Sequence, residues 1–417
     1  PNMSHLHRRD FLRHASIGFT LGAMGGLRAA IPAFSQWSQS NERSLLVLQL
    51  SGGNDGLSTV VPYADPIYQK VRSRTRISES EVHRISDHLG FHPNLGGLFR
   101  LYNEGMVTVL PSVGYDQPDR SHFKSLEIWH AADPRGKARG SGWLGRLCEQ
   151  RWPDEQNPAL SIHVGTRPTY ALQSLKHPPL SFTAPESYKW VGLPRESEAL
   201  KSAAPICEHG SPSMEENPPE KGRDRALRQL RETLAEATAS SVDVRHAARD
   251  FAPKVVWPST PLAANLATVC ALASSNIGTR IYSVEMGGFD THNNQRARHD
   301  QLMTQLDGAL TAFQGELAAR GLADQMTVLV FSEFGRRVQE NGSAGTDHGA
   351  AGPVFLLGKN LKGGVLGGPQ DLAKLHRGDL IHNTDFREIY GSLAAHWLKA
   401  DAKIVSGAHA PLALFRG

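Results

Sequence analysis

Apolar positions in this chain fall into short continuous runs separated by stretches of helical period. Residues 45–50 (Leu-Leu-Val-Leu-Gln-Leu) predict a strand buried on both faces, and 106–113, 279–286, 326–331 and 353–357 read the same way. Helices are predicted near 94–104, from about Ser121 onward, over 262–274 and over 295–320. In the last of these, Leu302, Leu306, Leu310, Phe313 and Leu317 recur at steps of four, four, three and four, which places them on one face. Asp385 with Glu388 has the spacing of a capping box for a final helix ending near Leu398. Strands alternating with long helices predict an α/β fold, a mostly parallel sheet with helices on both faces.

The N-terminus breaks this pattern. Arg8-Arg9-Asp10-Phe11-Leu12 is followed by thirteen uncharged residues, Ala15 to Leu27, and then by Arg28 and the small residues Ala29, Ala30, Ala33 and Ser35. This is the order of a removable twin-arginine signal over 1–35, with an apolar run too short for the roughly 20 residues that cross a bilayer. The expectation is a periplasmic or secreted protein that meets the twin-arginine translocase during export. Because that route carries folded proteins, it also favours a metal inserted before crossing.

Without residues 1–35 the nominal charge of +4 falls to +1, so nothing points to nucleic acid or an anionic membrane. No later apolar run is long enough for a stable membrane span. Cys148, Cys207 and Cys270 lack metal-type spacing. Residues 36–417 are expected to form one α/β domain, interrupted by a polar, proline-rich loop at 208–224 and an amphipathic helical insertion at 225–251.

Ligands of open α/β sheets gather outside the carboxyl ends of strands, and four polar clusters lie at or beside such ends. In Ser51-Gly52-Gly53-Asn54-Asp55-Gly56 the glycines allow close backbone approach; Asn54 and Asp55 can bind substrate or a cation, or make an ordinary turn. In Asp119-Arg120-Ser121-His122, Arg120 can meet an anionic substrate. Ser121 sits at a helix start, as nucleophile or as cap. Gly287-Gly288-Phe289-Asp290-Thr291-His292 offers a carboxylate and an imidazole two residues apart, a donor pair for zinc, manganese or magnesium. The fourth joins Ser332-Glu333-Phe334-Gly335-Arg336-Arg337 to Thr346-Asp347-His348-Gly349. There Glu333, Asp347 and His348 are acid–base groups or ligands, and Arg336 or Arg337 can clamp phosphate or sulfate while the other is solvated. His83, His88, His92, His130, His163 and His177 stand outside these clusters, whereas His122 and His299 flank them.

The same motifs, in this order, resemble the family of twin-arginine-exported bacterial proteins called domain of unknown function 1501. The resemblance runs through Leu-Gln-Leu-Ser-Gly-Gly-Asn-Asp-Gly-Leu (48–57), Pro-Asp-Arg-Ser-His-Phe (118–123), Gly-Gly-Phe-Asp-Thr-His (287–292), Phe-Ser-Glu-Phe-Gly-Arg-Arg (331–337), Gly-Thr-Asp-His-Gly (345–349) and Thr-Asp-Phe-Arg (384–387). It implies an alkaline-phosphatase-like core of the phosphatase and sulfatase superfamily, with a two-metal centre and a Ser or Thr nucleophile at a helix start. By position, Ser121 matches the nucleophile, Asp290 and His292 one metal site, and His348 a late ligand.

Departures from that pattern are Ser51 where a metal-binding Asp is usual, Glu333-Phe334 where Asp-His is usual, and an Asp290–His292 pair spaced by one residue rather than three. Two functions follow as expectations. One is a hydrolase of a small or polymeric phosphate or sulfate ester, dependent on zinc, manganese, magnesium or calcium. Asp55, Asp290, His292, Asp347 and His348 are its ligands, Ser121 and Glu333 its catalytic groups, and Asn54, Arg120 and Arg336 bind substrate. The other is a non-catalytic member that binds a ligand or an exported partner protein.

Overall fold

The computed structural model describes residues 43–133, 140–188 and 241–416. The expected signal, the polar loop and residues 225–240 of the insertion lie outside the described residues. Residues 241–249 are helical, with Val244 and Ala247 in the core.

A nine-stranded sheet organises the chain. Its strands are β1 (Ser44–Ser51), β2 (Val107–Gly114), β3 (Ser161–Val164), β4 (Leu180–Phe182), β5 (Ile281–Gly287), β6 (Met326–Phe331), β7 (Gly352–Leu357), β8 (Gly364–Val365) and β9 (Thr384–Asp385). Their order is β8-β2-β7-β6-β1-β5-β3-β4, with β9 on the far end of β2. β1 lies parallel to β5 and β6 at the centre, and β3 lies parallel to β5 and β4. Only β7 runs against its neighbours, β2 and β6. A parallel return needs a crossover, usually helical, but residues 332–351 form no helix and pair back on themselves through an antiparallel bridge between Arg336 and His348.

Helices are α1 (Gly96–Asn103), α2 (His122–Ala131), α3 (Trp143–Arg151), α4 (Pro261–Ser274), α5 (Gln295–Ala319) and α6 (Phe386–Ser392). Alternation along β1 assigns them to faces. Leu46, Leu48 and Leu50 pack with Leu98 of α1, Leu266 of α4 and Leu306 of α5. Leu45 and Val47 pack with Trp129 of α2, Trp143 of α3 and Tyr390 of α6. The predicted layers are thus present. The short elements β3, β4 and α3 escaped prediction because their apolar runs are too brief to show a period. The final predicted helix is capped by Asp385, whose side chain accepts from the Arg387 N–H, and continues as a wider turn over Leu393–Trp397. It is followed by one more short helix, Lys403–Ser406. No helix among the described residues is long and apolar enough to cross a membrane.

Four buried histidines bear on stability, among them His92, whose imidazole burial pushes down to about 4. Loss of water holds the His130 and His163 imidazoles down to about 4, and that of His299 to about 3, from an ordinary 6.5. At these rings the folded chain binds fewer protons than the unfolded chain between about pH 6.5 and 4, and their contribution to stability falls as pH drops through that window. The midpoint of urea unfolding is expected to decline steadily from pH 7 to 4.5. A midpoint independent of pH would contradict the neutral burial of these rings.

Candidate metal centre

Parallel strands deliver their carboxyl ends to one rim, and β7, running the opposite way, delivers its amino end there. The segments after β1, β5 and β6, the start of α2 and the residues just before β7 consequently meet. Close packing of the first two requires glycine. Gly52 has φ +121°, and a Cβ on it would lie 2.4 Å from the Asp290 backbone nitrogen. The Gly52 N–H donates to Glu333 Oε1 at 2.9 Å, and the Asn54 N–H donates to Ser332 Oγ at 2.9 Å, joining β1 to β6.

Arg336 fastens the loops from inside. Its side chain is fully buried; Nε donates to the Gly53 carbonyl at 2.7 Å and Nη1 to the Thr346 carbonyl at 2.8 Å. Nη2 donates to the carbonyls of Gly52 and Phe289 and, at 2.7 Å, to Asp290 Oδ1. A guanidinium has five N–H donors: the two on Nη2 are shared among three oxygens, and the second on Nη1 lies towards His292 Nε2 at 3.5 Å. Arg336 is therefore a structural clamp, which corrects its expected role in binding substrate.

Asp290 is the focus of three imidazoles. Its Oδ1 lies 3.0 Å from His292 Nε2 and 3.1 Å from His348 Nε2, and its Oδ2 lies 3.6 Å from His122 Nε2. The Nε2 atoms of His292 and His348 are 2.9 Å apart. Behind each ring stands an oxygen. His348 Nδ1 is 2.8 Å from the Arg120 carbonyl, His122 Nδ1 is 2.8 Å from Glu333 Oε1, and His292 Nδ1 is 3.4 Å from Asp347 Oδ1. A carbonyl can only accept, and an ionised carboxylate likewise, so each Nδ1 carries the proton. In the neutral rings the three Nε2 lone pairs then face one another and a carboxylate. Phe334 packs against the rings of His122 and His348, with centroids 4.9 and 4.8 Å away, and limits their rotation.

Arg336 meets Asp290 Oδ1 and approaches His292 Nε2 at 3.5 Å, but the Nε2 lone pairs of His122 and His348 still repel their neighbours unless protons or a further cation lie among them. Burial pushes the Asp290 carboxyl up, but Arg336 and the imidazoles outweigh that and hold it at about 2. The Glu333 hydrogen bond raises His122, and His122 with the Gly52 amide keeps the buried Glu333 ionised against its desolvation. One ligand atom each from His122, Asp290 and His348 falls within a 4.8 Å span, with His292 beside them. Contacts of 2.9–3.6 Å match those between ligands each about 2.0–2.2 Å from a shared ion. Three nitrogens and a carboxylate suit zinc or manganese better than magnesium or calcium, which take oxygen donors.

Of the predicted residues, Asp290, His292 and His348 come together, Asp347 stands at their edge and Glu333 lies one hydrogen bond behind. Asp55 does not join them. Its fully buried carboxylate is paired with both Nη atoms of Arg72 at 2.6 and 3.0 Å and accepts from Ser58 and Gln295, which corrects its expected role as a ligand. Asn54 is also turned inward; its Oδ1 meets the Thr59 hydroxyl at 3.0 Å and His299 Nε2 at 3.2 Å, so it is not placed for substrate. That contact makes His299 a packing residue. Arg120 is ion-paired to Asp379 but over a third exposed. Ser121 is the exposed N-cap of α2, and its hydroxyl makes no capping bond.

His122 was the residue that motif reading undervalued. Its signal was its place beside Ser121 at a helix start. Arg72 and Asp379 carried no signal, since each has meaning only through a distant partner.

Glu333 acts through His122. Glu333→Gln removes the charge that holds the Nδ1 proton, and metal affinity is expected to fall roughly tenfold to a hundredfold. Competition with a chromophoric chelator measures this, and an unchanged affinity would show that Glu333 does not orient a ligand.

No curated protein matches the sequence. Among solved structures, the chain is similar to a protein in the alkaline phosphatase superfamily from Vibrio parahaemolyticus (8% identity over 88% of this chain and 70% of that one, TM-score 0.35). It is similar also to the lipoteichoic acid synthase LtaP from Listeria monocytogenes (10%, 90% and 80%, 0.30) and to a sulfatase from Pseudoalteromonas sp. (10%, 88% and 71%, 0.34). Residues 112–390, a span from β2 to α6 that holds His122, Asp290, His292 and His348, match the family described as protein of unknown function (DUF1501), and the chain belongs to that family.

Proposed function

We propose that this protein is an exported, metal-dependent hydrolase of phosphate or sulfate esters, its single divalent cation held by His122, Asp290, His292 and His348. The observation that carries this reading is the convergence of three Nε2 atoms on Asp290 while an oxygen engages every Nδ1. A divalent ion bound there supplies Lewis-acid stabilisation of the charge that develops on the ester oxygens. Glu333 holds the His122 proton away from the reacting side. Ser121, next in the chain to a ligand and with its hydroxyl exposed, is the proposed nucleophile. A single ion replaces the pair implied by family resemblance, because Ser51 stands where a second carboxylate is usual and Asp55 is closed off by Arg72.

Export through residues 1–35 belongs to the same reading, since folding before translocation lets the ion be fixed inside the cell. A second reading, a non-catalytic binder of a ligand or exported partner, is favoured by one observation. Two of the three groups expected to grip substrate, Asn54 and Arg336, are committed to the protein's own interior, and only Arg120 keeps an exposed edge. Protein purified from periplasm decides between them. Stoichiometric zinc or manganese, together with cleavage of an aryl phosphate or aryl sulfate that Ser121→Ala reduces at least about a hundredfold, supports the hydrolase. Metal-free protein inert on both esters supports the binder.

A further inference from the structure

We propose that Arg120 and Arg337, held on two sides of the buried carboxylate of Asp379, receive the anionic group of the ligand, a tetrahedral phosphate or sulfate. The inference rests on the hydrolase reading for the identity of the anion, and it replaces Arg336 in the role expected of it. Arg120 donates through Nε and Nη2 to Asp379 Oδ2, the former at 2.9 Å. Arg337 Nε lies 3.9 Å from the other oxygen, Oδ1, which is buried and has no hydrogen-bond partner. Asp379 is only 3% exposed, whereas the two arginine side chains are 36% and 35% exposed.

Two guanidinium charges thus share one buried carboxylate, and the exposed Asp347 carboxylate is the other acid that feels Arg337. The Nη1 group of Arg120 and the fork of Arg337 have no hydrogen-bond acceptor among the described residues. Asp379 fixes the Arg120 head by two hydrogen bonds before an anion arrives and draws the Arg337 head towards it by charge alone. Each arginine is also tied by its backbone to the metal centre. The Arg120 carbonyl accepts from His348 Nδ1 at 2.8 Å, and the Arg337 N–H donates to the Asp347 carbonyl at 3.0 Å. An oxyanion at this place meets planar N–H pairs, the geometry that guanidinium groups offer to phosphate and sulfate oxygens.

Calorimetric titration of the metal-loaded mature chain with inorganic phosphate, and separately with sulfate, tests the assignment. Arg337→Ala removes no hydrogen bond within the described protein and should fold normally. It is expected to weaken anion binding roughly tenfold to a hundredfold with metal content unchanged, and Arg337→Lys to weaken it less. Arg120→Lys, which keeps a cation on Asp379 but loses the planar fork, should weaken it as well. Wild-type affinity in Arg337→Ala overturns the proposal and leaves the metal centre standing. So does the absence of any phosphate or sulfate binding by the wild type at millimolar concentration. If the wild type binds phosphate through Arg337 yet cleaves no ester, the receiver stands and the hydrolase reading falls.

Discussion

Asp290→Ala is expected to lower divalent-metal affinity by more than about a hundredfold while leaving the fold intact. The variant removes the only carboxylate among the described residues that all three imidazoles face, and an outer group alone is commonly worth tenfold to a hundredfold. Its structural cost is limited because Asp290 is about half exposed, and Arg336 retains four backbone carbonyls when Oδ1 is lost. Loss of one charged hydrogen bond corresponds to roughly 1.5–3 kcal/mol at most. Elemental analysis after dialysis, with urea unfolding alongside, measures both quantities. Full metal retention would show that any ion binds elsewhere. Cooperative unfolding lost along with the metal would show that the cluster is needed for folding itself.

Arg72→Met is expected to produce the largest loss of stability, about 3–5 kcal/mol, a substantial part of the roughly 5–15 kcal/mol typical of folded domains. Both members of the Arg72–Asp55 pair are fully buried. Arg72 also donates to the carbonyls of Val338 at 2.6 Å and Arg337 at 2.8 Å. Without it, Asp55 keeps only the Ser58 hydroxyl and the Gln295 amide, and its charge is uncompensated. Burial by itself pushes the Asp55 carboxyl up, but the adjacent guanidinium prevails and holds it far below the usual range. The pair therefore stabilises the fold fully above the ordinary aspartate value near 4, and that contribution is lost as pH falls below it.

In Arg72→Met the carboxyl should rise instead, so the variant's deficit is greatest at neutral pH and shrinks in acid. Urea midpoints of wild type and variant between pH 7 and 4 give the comparison. A deficit constant across that range would mean that the loss arises from packing rather than charge. Adding Asp55→Asn removes the orphaned charge and should recover part of the stability.

These two residues show where reading the chain stops. Asp55 resembles a ligand in the sequence because it follows a strand in a glycine-rich turn. What closed it off was an arginine 17 residues later, on a segment without any motif. Glu333 and His122 are separated by 211 positions and Arg336 and Asp290 by 46, so no window of sequence contains either pair. Arg336 and Arg337 are indistinguishable as neighbours in a motif. Pairing with the segment before β7 turns the first inward to five oxygens, while the second keeps an exposed fork.

What the sequence by itself determined is local: the apolar runs that make β1, β5 and β6, the period of α5, and the polar clusters at the strand ends that meet on one rim. Those features follow from side-chain periodicity and turn chemistry, which act over a few residues. Which polar groups confront the ligand and which neutralise one another was decided only by tertiary structure. The direction of β7 and the close approach at Gly52 bring distant charges within a few ångströms, and a charged group's role depends on the partners nearest to it in space.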